Sequence, residues 1–225
     1  MTTYFDLSQP VRTGMLIFPG DPAVEITPAE GAMAPWQVST LKLGTHTGTH
    51  IDAASHYIPG GNTIEQYPLS RFILPGIVVH LADLAEDQAI TGKMIAGKLK
   101  NLPEGGAILI QTDWDQYWES AKYFRHPHLS AEAVEALMEA HASLVGIDAL
   151  NVDSTVQSTE HVHRLLLGHD ILIVENLARL KTLQERVTYM VSFLPIHLVG
   201  LDGSPVRAAA WQVPSNHSSR GDARK

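Results

Sequence analysis

Apolar and polar positions follow two rhythms along this chain, and the switches between them mark its elements. Gly76 to Leu81 and Ala107 to Thr112 are predominantly apolar runs of strand length, the pattern of strands covered on both faces. Between them, 91–99 has helical composition led by Thr91 as an N-cap, despite Gly92 and Gly97. Ser130 precedes A-E-A-V-E-A-L-M-E-A-H, where Val134, Leu137 and Met138 recur at helical spacing and Glu132 sits in the first turn, which predicts a capped amphipathic helix. A short strand from Leu144 to Ile147 ends at Asp148, and a polar loop runs through Asn151-Val152-Asp153-Ser154. A helix from about Thr159 to Leu167 is stopped by Gly168, and a strand from Ile171 to Val174 ends at Glu175.

The flanks read differently. Tyr4 to Leu7 predicts an opening strand, whereas five prolines and three glycines between Pro10 and Pro35 predict a loop-rich arm, with a turn at Phe18-Pro19-Gly20-Asp21-Pro22. Val38 to Leu43 alternates like a strand and feeds into the segment that follows it. Tyr189 to Leu194 and Pro205 to Trp211 predict closing strands around the turn Leu201-Asp202-Gly203-Ser204, and from Ser215 a polar tail is expected to be mobile. Strands alternating with helices make this an α/β chain, and 225 residues suit a single domain, 1–214, followed by the tail at 215–225.

Composition narrows the chemistry. A formal net charge of −8, with both signs mixed along the chain, leaves no basic stripe for phosphates and disfavours nucleic acid as a partner. A small-molecule ligand fits better. The absence of cysteine removes thiolate metal sites, disulfides and cysteine nucleophiles, so any metal must be held through imidazole and carboxylate. The opening residues lack the basic flank and apolar stretch of a secretion signal, and no apolar run approaches the ~20 residues that span a bilayer, so the expected location is cytoplasmic, with no membrane partner.

Against that background one segment stands out. His46 to His56 reads H-T-G-T-H-I-D-A-A-S-H, with His46, His50, Asp52 and His56 all on even positions. An extended chain sends those four side chains to one face, whereas a helix would turn Asp52 away from His46 and His50, and T-G-T is a poor helix former. The run therefore predicts a ligand-bearing strand. His46, His50 and Asp52 supply the three protein ligands typical of a catalytic divalent site, His56 is a fourth candidate, and the hydroxyls of Thr47 and Thr49 are placed to support the ligands. A second constellation, His161 and His163 on the predicted helix with Glu175 at the exit of the next strand, aims a carboxylate out of the strand's carboxyl end, where α/β sites lie. Trp114, Tyr117 and Trp118 either wall an aromatic pocket or pack in the core or a dimer interface. His126 and His128, flanking Pro127, read as solvated loop residues before a substrate contact, and Asp113 and Asp115 stay undecided.

The eleven-residue run resembles the H-x-G-T-H-x-D-x-P-x-H signature of the cyclase-like metal-dependent hydrolases, which include bacterial kynurenine formamidases and isatin hydrolases. The resemblance extends to D-L-S-Q-P at Asp6 to Pro10, F-P-G-D-P at Phe18 to Pro22, G-I-D at Gly146 to Asp148, H-R-L-L-L at His163 to Leu167 and D-G-S-P-V-R at Asp202 to Arg207. It implies a compact β/β/α fold with a small barrel-like mixed sheet flanked by helices, in a homodimer or higher homo-oligomer. It further implies that His46, His50 and Asp52 hold one divalent ion, that Asp52 with His163 and Glu175 holds a second, and that His56 shuttles protons. His163 is preferred to His161 on the same ground. Zinc is the default ion and manganese the alternative for such a nitrogen and oxygen set.

The implied activity is hydrolysis of an aryl amide, with N-formylkynurenine giving kynurenine and formate. Two departures bear on it. Ala54 replaces the signature proline without removing a ligand, and Phe18 stands where formamidases carry a tryptophan taken to stack on the substrate ring. Phe18 keeps open a ring-opening hydrolase of a cyclic amide or lactone. A non-catalytic protein stabilised by a closed metal site is the alternative from another class.

Overall fold

The computed structural model describes residues 2–31, 35–81 and 83–212, so the tail expected from Ser215 lies outside the described residues. In chain order the strands are β1 (Tyr4–Asp6), β2 (Glu25–Pro28), β3 (Ser39–Lys42), β4 (His50–Asp52), β5 (Ile73–His80), β6 (Ala89–Ile90), β7 (Ala107–Gln111), β8 (His128–Leu129), β9 (Leu144–Ile147), β10 (Leu172–Glu175), β11 (Tyr189–Ser192), β12 (Gly203–Pro205) and β13 (Ala209–Trp211). The helices are α1 (Gly92–Ile95), α2 (Ala131–Glu139) and α3 (His161–Gly168), with several 3₁₀ turns between elements.

Nine strands form one mixed sheet in the order β1-β13-β11-β5-β7-β9-β10-β4-β12, parallel across β5, β7, β9 and β10 and antiparallel elsewhere. The apolar runs form its centre because both faces are covered. Ile77, Val79, Ile108, Ile110, Val145, Ile147 and Ile173 pack with Val134 and Leu137 of α2 and Val162 and Leu166 of α3. The alternate residues Leu74, Val78, Leu109, Leu144, Leu172 and Val174 pack inward with Leu7, Ile51 and Phe193. This second core is the interior of a curled sheet. Chain geometry requires the curl: β12 is one edge strand and β13 lies beside the other, yet only residues 206–208 separate them, a span of at most ~14 Å. The fold is the expected α/β barrel-like sheet flanked by helices, and among the described residues no helix is long and apolar enough to cross a membrane.

Several boundaries differ from the sequence reading. The loop-rich arm contains β2, which pairs with β3 in an antiparallel hairpin whose strand residues are all exposed. The alternating pattern at 38–43 thus belongs to a hairpin with no buried face, and it does not continue into the ligand run. Pro205 to Trp211 is not one strand, because β12 joins β4 while β13 joins β11 and β1. Helix 91–99 keeps α-geometry for one turn and continues as a 3₁₀ turn over Ala96–Asn101. Gly92 there has a packing reason: a Cβ would stand 2.5 Å from the Glu132 carbonyl oxygen of α2. The Ser130 cap is present, its Oγ accepting from the Ala133 N–H at 3.3 Å.

Candidate metal centre

Strand β4 lies between β10 and β12, and register builds much of the site. His50 is opposite Glu175 and Asp52 is opposite Gly203, so His50, Asp52 and Glu175 share one face while Ile51 and Val174 point into the barrel. That face is toward α3, at the carboxyl ends of β9 and β10. The extended geometry predicted for the whole eleven-residue run covers His50 to Asp52 only. His46 sits in a turn made possible by Gly48 at φ 63°, and His56 closes a 3₁₀ turn over Ala54–His56. Strand parity therefore accounts for two of the four residues, and the turns on either side fold the other two back onto them. Ring centroids of His46 and His50 are 5.0 Å apart, and those of His46 and His56 are 3.9 Å apart.

Hydrogen bonds fix which ring nitrogens face inward. His50 Nδ1–H donates to the Gly48 carbonyl at 2.8 Å, and His163 Nδ1–H donates to Asp153 at 2.9 Å. Each Nε2 then meets carboxylate oxygens. His50 Nε2 lies 3.4 Å from Asp52 Oδ1 and 3.5 Å from Glu175 Oε2, and His163 Nε2 lies 3.3 Å from Glu175 Oε1 and 3.6 Å from Asp52 Oδ2. These separations are close to the ~3.3 Å ligand-to-ligand edge of a tetrahedron with ~2.0 Å bonds to a central ion. Asp52 Oδ2 is buried with no hydrogen-bond partner among the described residues, an arrangement costly without a counter-charge. The donor set fits a hard or borderline divalent cation: His46, His50 and Asp52 converge as one group, and Asp52, His163 and Glu175 as another.

Electrostatics agree. Burial would raise the Asp52 and Glu175 carboxyls, but the histidines around them hold both below the usual carboxylate range. Burial opposes charge on His163 too, and is outweighed by Asp153, Asp52 and Glu175, which keep its imidazole well above the ordinary range. For His46, burial is overridden by Asp52 and Asp202, which raise it to about 10. This much negative charge around buried imidazoles suits replacement of their protons by a metal ion.

Two aspartates outside the predicted ligand set organise these groups. Asp153 accepts from the His163 ring and also from the backbone N–H groups of Val162 and His163 at 3.1 and 2.9 Å, anchoring the start of α3. Asp202 Oδ2 accepts from His46 Nε2 at 3.0 Å and His56 Nδ1 at 3.2 Å. Tyr57 was also missed: its ring stacks on His163 at 4.7 Å and meets His56 edge-on at 4.7 Å. Apart from the D-G-S-P-V-R resemblance at Asp202, the sequence offered no signal for them, since aspartates in polar loops read as turn residues.

His46, His50, His56, His163 and Glu175 line one cleft together with Phe18, Tyr57, Trp118 and Asn176. Trp118 thus joins the pocket wall, while Trp114 is buried, 4.9 Å from Tyr117. Thr47 and Thr49 do not reach the ligands: Thr47 Oγ1 accepts from the Gly44 N–H, and Thr49 Oγ1 donates to the Asn176 carbonyl at 2.6 Å. His126 and His128 are buried rather than solvated, because β8 pairs with β6 and His126 Nε2 reaches Thr155 Oγ1 at 2.8 Å. His161 is exposed, as expected, with Nδ1 3.5 Å from the far oxygen of Asp153. Asp115 accepts from the Arg179 backbone N–H at 2.7 Å, outside the cleft, and Asp113 stands at φ 59°.

Fold and donor set together match those of a metal-dependent hydrolase, with residues that could hold a metal ion. The family model for cyclases ("Putative cyclase") matches residues 5–154, and the chain belongs to this cyclase family of metal-dependent hydrolases. It is 31% identical over 225 residues to the kynurenine formamidase of Maricaulis maris (strain MCS10), covering 95% of this chain and 100% of that one. The kynurenine formamidase of Paracidovorax citrulli (strain AAC00-1) is 32% identical over 214 residues, covering 91% and 94%. Among solved structures, isatin hydrolase A from Ralstonia solanacearum superposes with a TM-score of 0.80 at 25% identity, covering 94% of this chain and 92% of that one.

Proposed function

We propose that this enzyme hydrolyses an aryl amide, a C–N bond other than a peptide bond, with N-formylkynurenine as the leading substrate and kynurenine and formate as products. One observation carries the reading: the inward nitrogens of His50 and His163 face Asp52 and Glu175 at 3.3–3.6 Å in a cleft that His56 also enters. The formamidase relatives support the choice of bond. Divalent ions held by His46, His50, Asp52, His163 and Glu175, two in our reading and zinc before manganese, would supply Lewis-acid polarisation of a carbonyl and would lower the pKa of water to about 7.

The chain's own groups do the rest. His56 Nδ1 donates to Asp202, which leaves Nε2 to take a proton from the attacking water and pass it to the departing arylamine nitrogen. The hydrogen bonds from His46 and His56, outweighing burial, hold Asp202 far below the usual carboxylate range, so it remains an acceptor throughout. Phe18 and Trp118 wall the cleft against an aromatic ring. Our reading of the assembly is a homodimer or higher homo-oligomer, in which the exposed Ile26, Val38 and Leu41 of the β2–β3 hairpin offer apolar surface for a second copy to cover.

Incubating zinc- and manganese-loaded protein with N-formylkynurenine, isatin and small lactones, followed by absorbance, tests the reading. Formyl loss is expected, and no turnover of an amide would sink it. Faster opening of isatin would favour the cyclic-amide alternative, which rests on Phe18 in the cleft and on the likeness to isatin hydrolase A.

A further inference from the structure

Asn176 follows Glu175 out of β10 and adopts φ 57°, a left-handed conformation that asparagine tolerates better than most residues. Its backbone is fully engaged: the N–H donates to the Ala149 carbonyl at 2.9 Å and the carbonyl accepts from Thr49 Oγ1 at 2.6 Å. Its side chain is engaged on one side. Tyr123 donates its hydroxyl proton to Asn176 Oδ1 at 2.9 Å. Tyr123 is fully buried, and burial pushes its hydroxyl well above the ordinary range, so the proton stays in place. No other acceptor serves that hydroxyl among the described residues, so the amide must turn its oxygen toward Tyr123. The amide NH₂ therefore faces the other way. Asn176 is 3% exposed and lines the cleft beside His163 and Glu175, and among the described residues Nδ2 has no acceptor.

An oriented donor that opens on a cleft with no protein acceptor is free to pair with a bound ligand, whose acceptor completes its hydrogen bond. We infer that Asn176 is a substrate-binding residue whose Nδ2 donates to an acceptor oxygen of the bound amide, and that Tyr123 is the positioning residue that holds it in this orientation. The inference rests on the reading of the cleft as an amide site. It deepens that reading by requiring a substrate with an oxygen acceptor at this point, in addition to an aromatic ring. Trp118 stands edge-on to the Tyr123 ring at 5.2 Å, so the orienting residue is packed directly behind the pocket wall.

Two variants test it. Asn176→Asp keeps the left-handed backbone and the acceptor for Tyr123 but turns an acceptor toward the substrate oxygen. Tyr123→Phe removes only the orienting hydroxyl. With metal content confirmed, N176D should raise KM for N-formylkynurenine tenfold or more, with a smaller change in kcat, and Y123F should raise it several-fold. A purely structural role would lower thermal stability in both and leave KM alone. Fluorescence titration with formanilide on chelator-treated protein gives a second readout that needs no turnover: saturable binding is expected for the wild type and at least tenfold weaker binding for N176D. If the wild type turns over none of the amides, the functional reading falls while this titration still decides the role of Asn176. The inference is overturned if formanilide shows no saturable binding to the wild type, or if N176D binds it within twofold of the wild type.

Discussion

A single carboxylate, that of Asp153, caps α3 through two backbone N–H groups and fixes the His163 ring through Nδ1. Burial would raise its pKa, but the His163 ring and these backbone donors hold it at about 2, so it stays an acceptor across the working range. Asp153→Asn should weaken metal binding about 10- to 100-fold, as carboxylates behind metal-ligating histidines commonly do. Competition against a chelator of known affinity measures this directly. His56 packs against His46 but lies outside the proposed ligand set, so His56→Ala should retain its metal by elemental analysis and lose ~10²- to 10⁴-fold in turnover. Asp148 has a different role. It is fully buried at the end of β9, and burial lifts its carboxyl to about 7 although Thr112 N–H and Oγ–H and Asp113 N–H all donate to it. Raised in the folded state, it binds a proton that the unfolded chain has released between about pH 4 and pH 7. Its contribution to stability is therefore full below that window and falls through it, by at most ~1.4 kcal/mol per pH unit. A carboxyl ¹³C titration should show a midpoint near neutrality, and a midpoint near 4 would refute this. At this scale the metal-ligand candidates were legible because four of them crowd into eleven residues, whereas Asp153, Asp202 and Asn176 act across 10 to 156 positions of chain and leave no local pattern.

Between elements, close approach decides what each position tolerates. Gly203 of β12 lies opposite Asp52, and a Cβ there would stand 2.8 Å from the Ile51 carbonyl oxygen and 3.0 Å from His46 Cε1. Gly203→Ala should displace the His46 ring, lowering metal content together with stability by ~1–3 kcal/mol, as overpacking does. Gly97 faces open space, so Gly97→Ala is expected to gain ~0.4–1 kcal/mol through the unfolded chain. Denaturant melts of the two proteins should move in opposite directions. The central strands and α2 were legible because their apolar period is long and both faces or one stripe are buried. The ligand run was only partly so: period-two spacing predicts a strand wherever it occurs, but Gly48 at φ 63° ends the extended geometry before His46. The β2–β3 hairpin was hidden because it buries neither face and so has no hydrophobic alternation to impose.

For the whole molecule, sheet closure could not be seen in advance, because two strands three residues apart in sequence occupy opposite flanks of one sheet. The hop at 206–208 is pinned on both sides, by the Val206 N–H donating to the Thr49 carbonyl and the Leu7 N–H donating to the Ala208 carbonyl. The seam of the barrel and the strand flanking the ligands are thus a single stretch of backbone. An ion held by His46, His50 and Asp52 would act as a rivet close to this seam, so tightening the centre should also make the barrel harder to open. Saturating zinc or manganese should raise the melting temperature, with ~2.7 kcal/mol of added stability at a hundredfold excess over Kd, and a chelator should reverse it. An unchanged melting curve on saturation would mean that the folded chain binds the ion no better than the unfolded chain does.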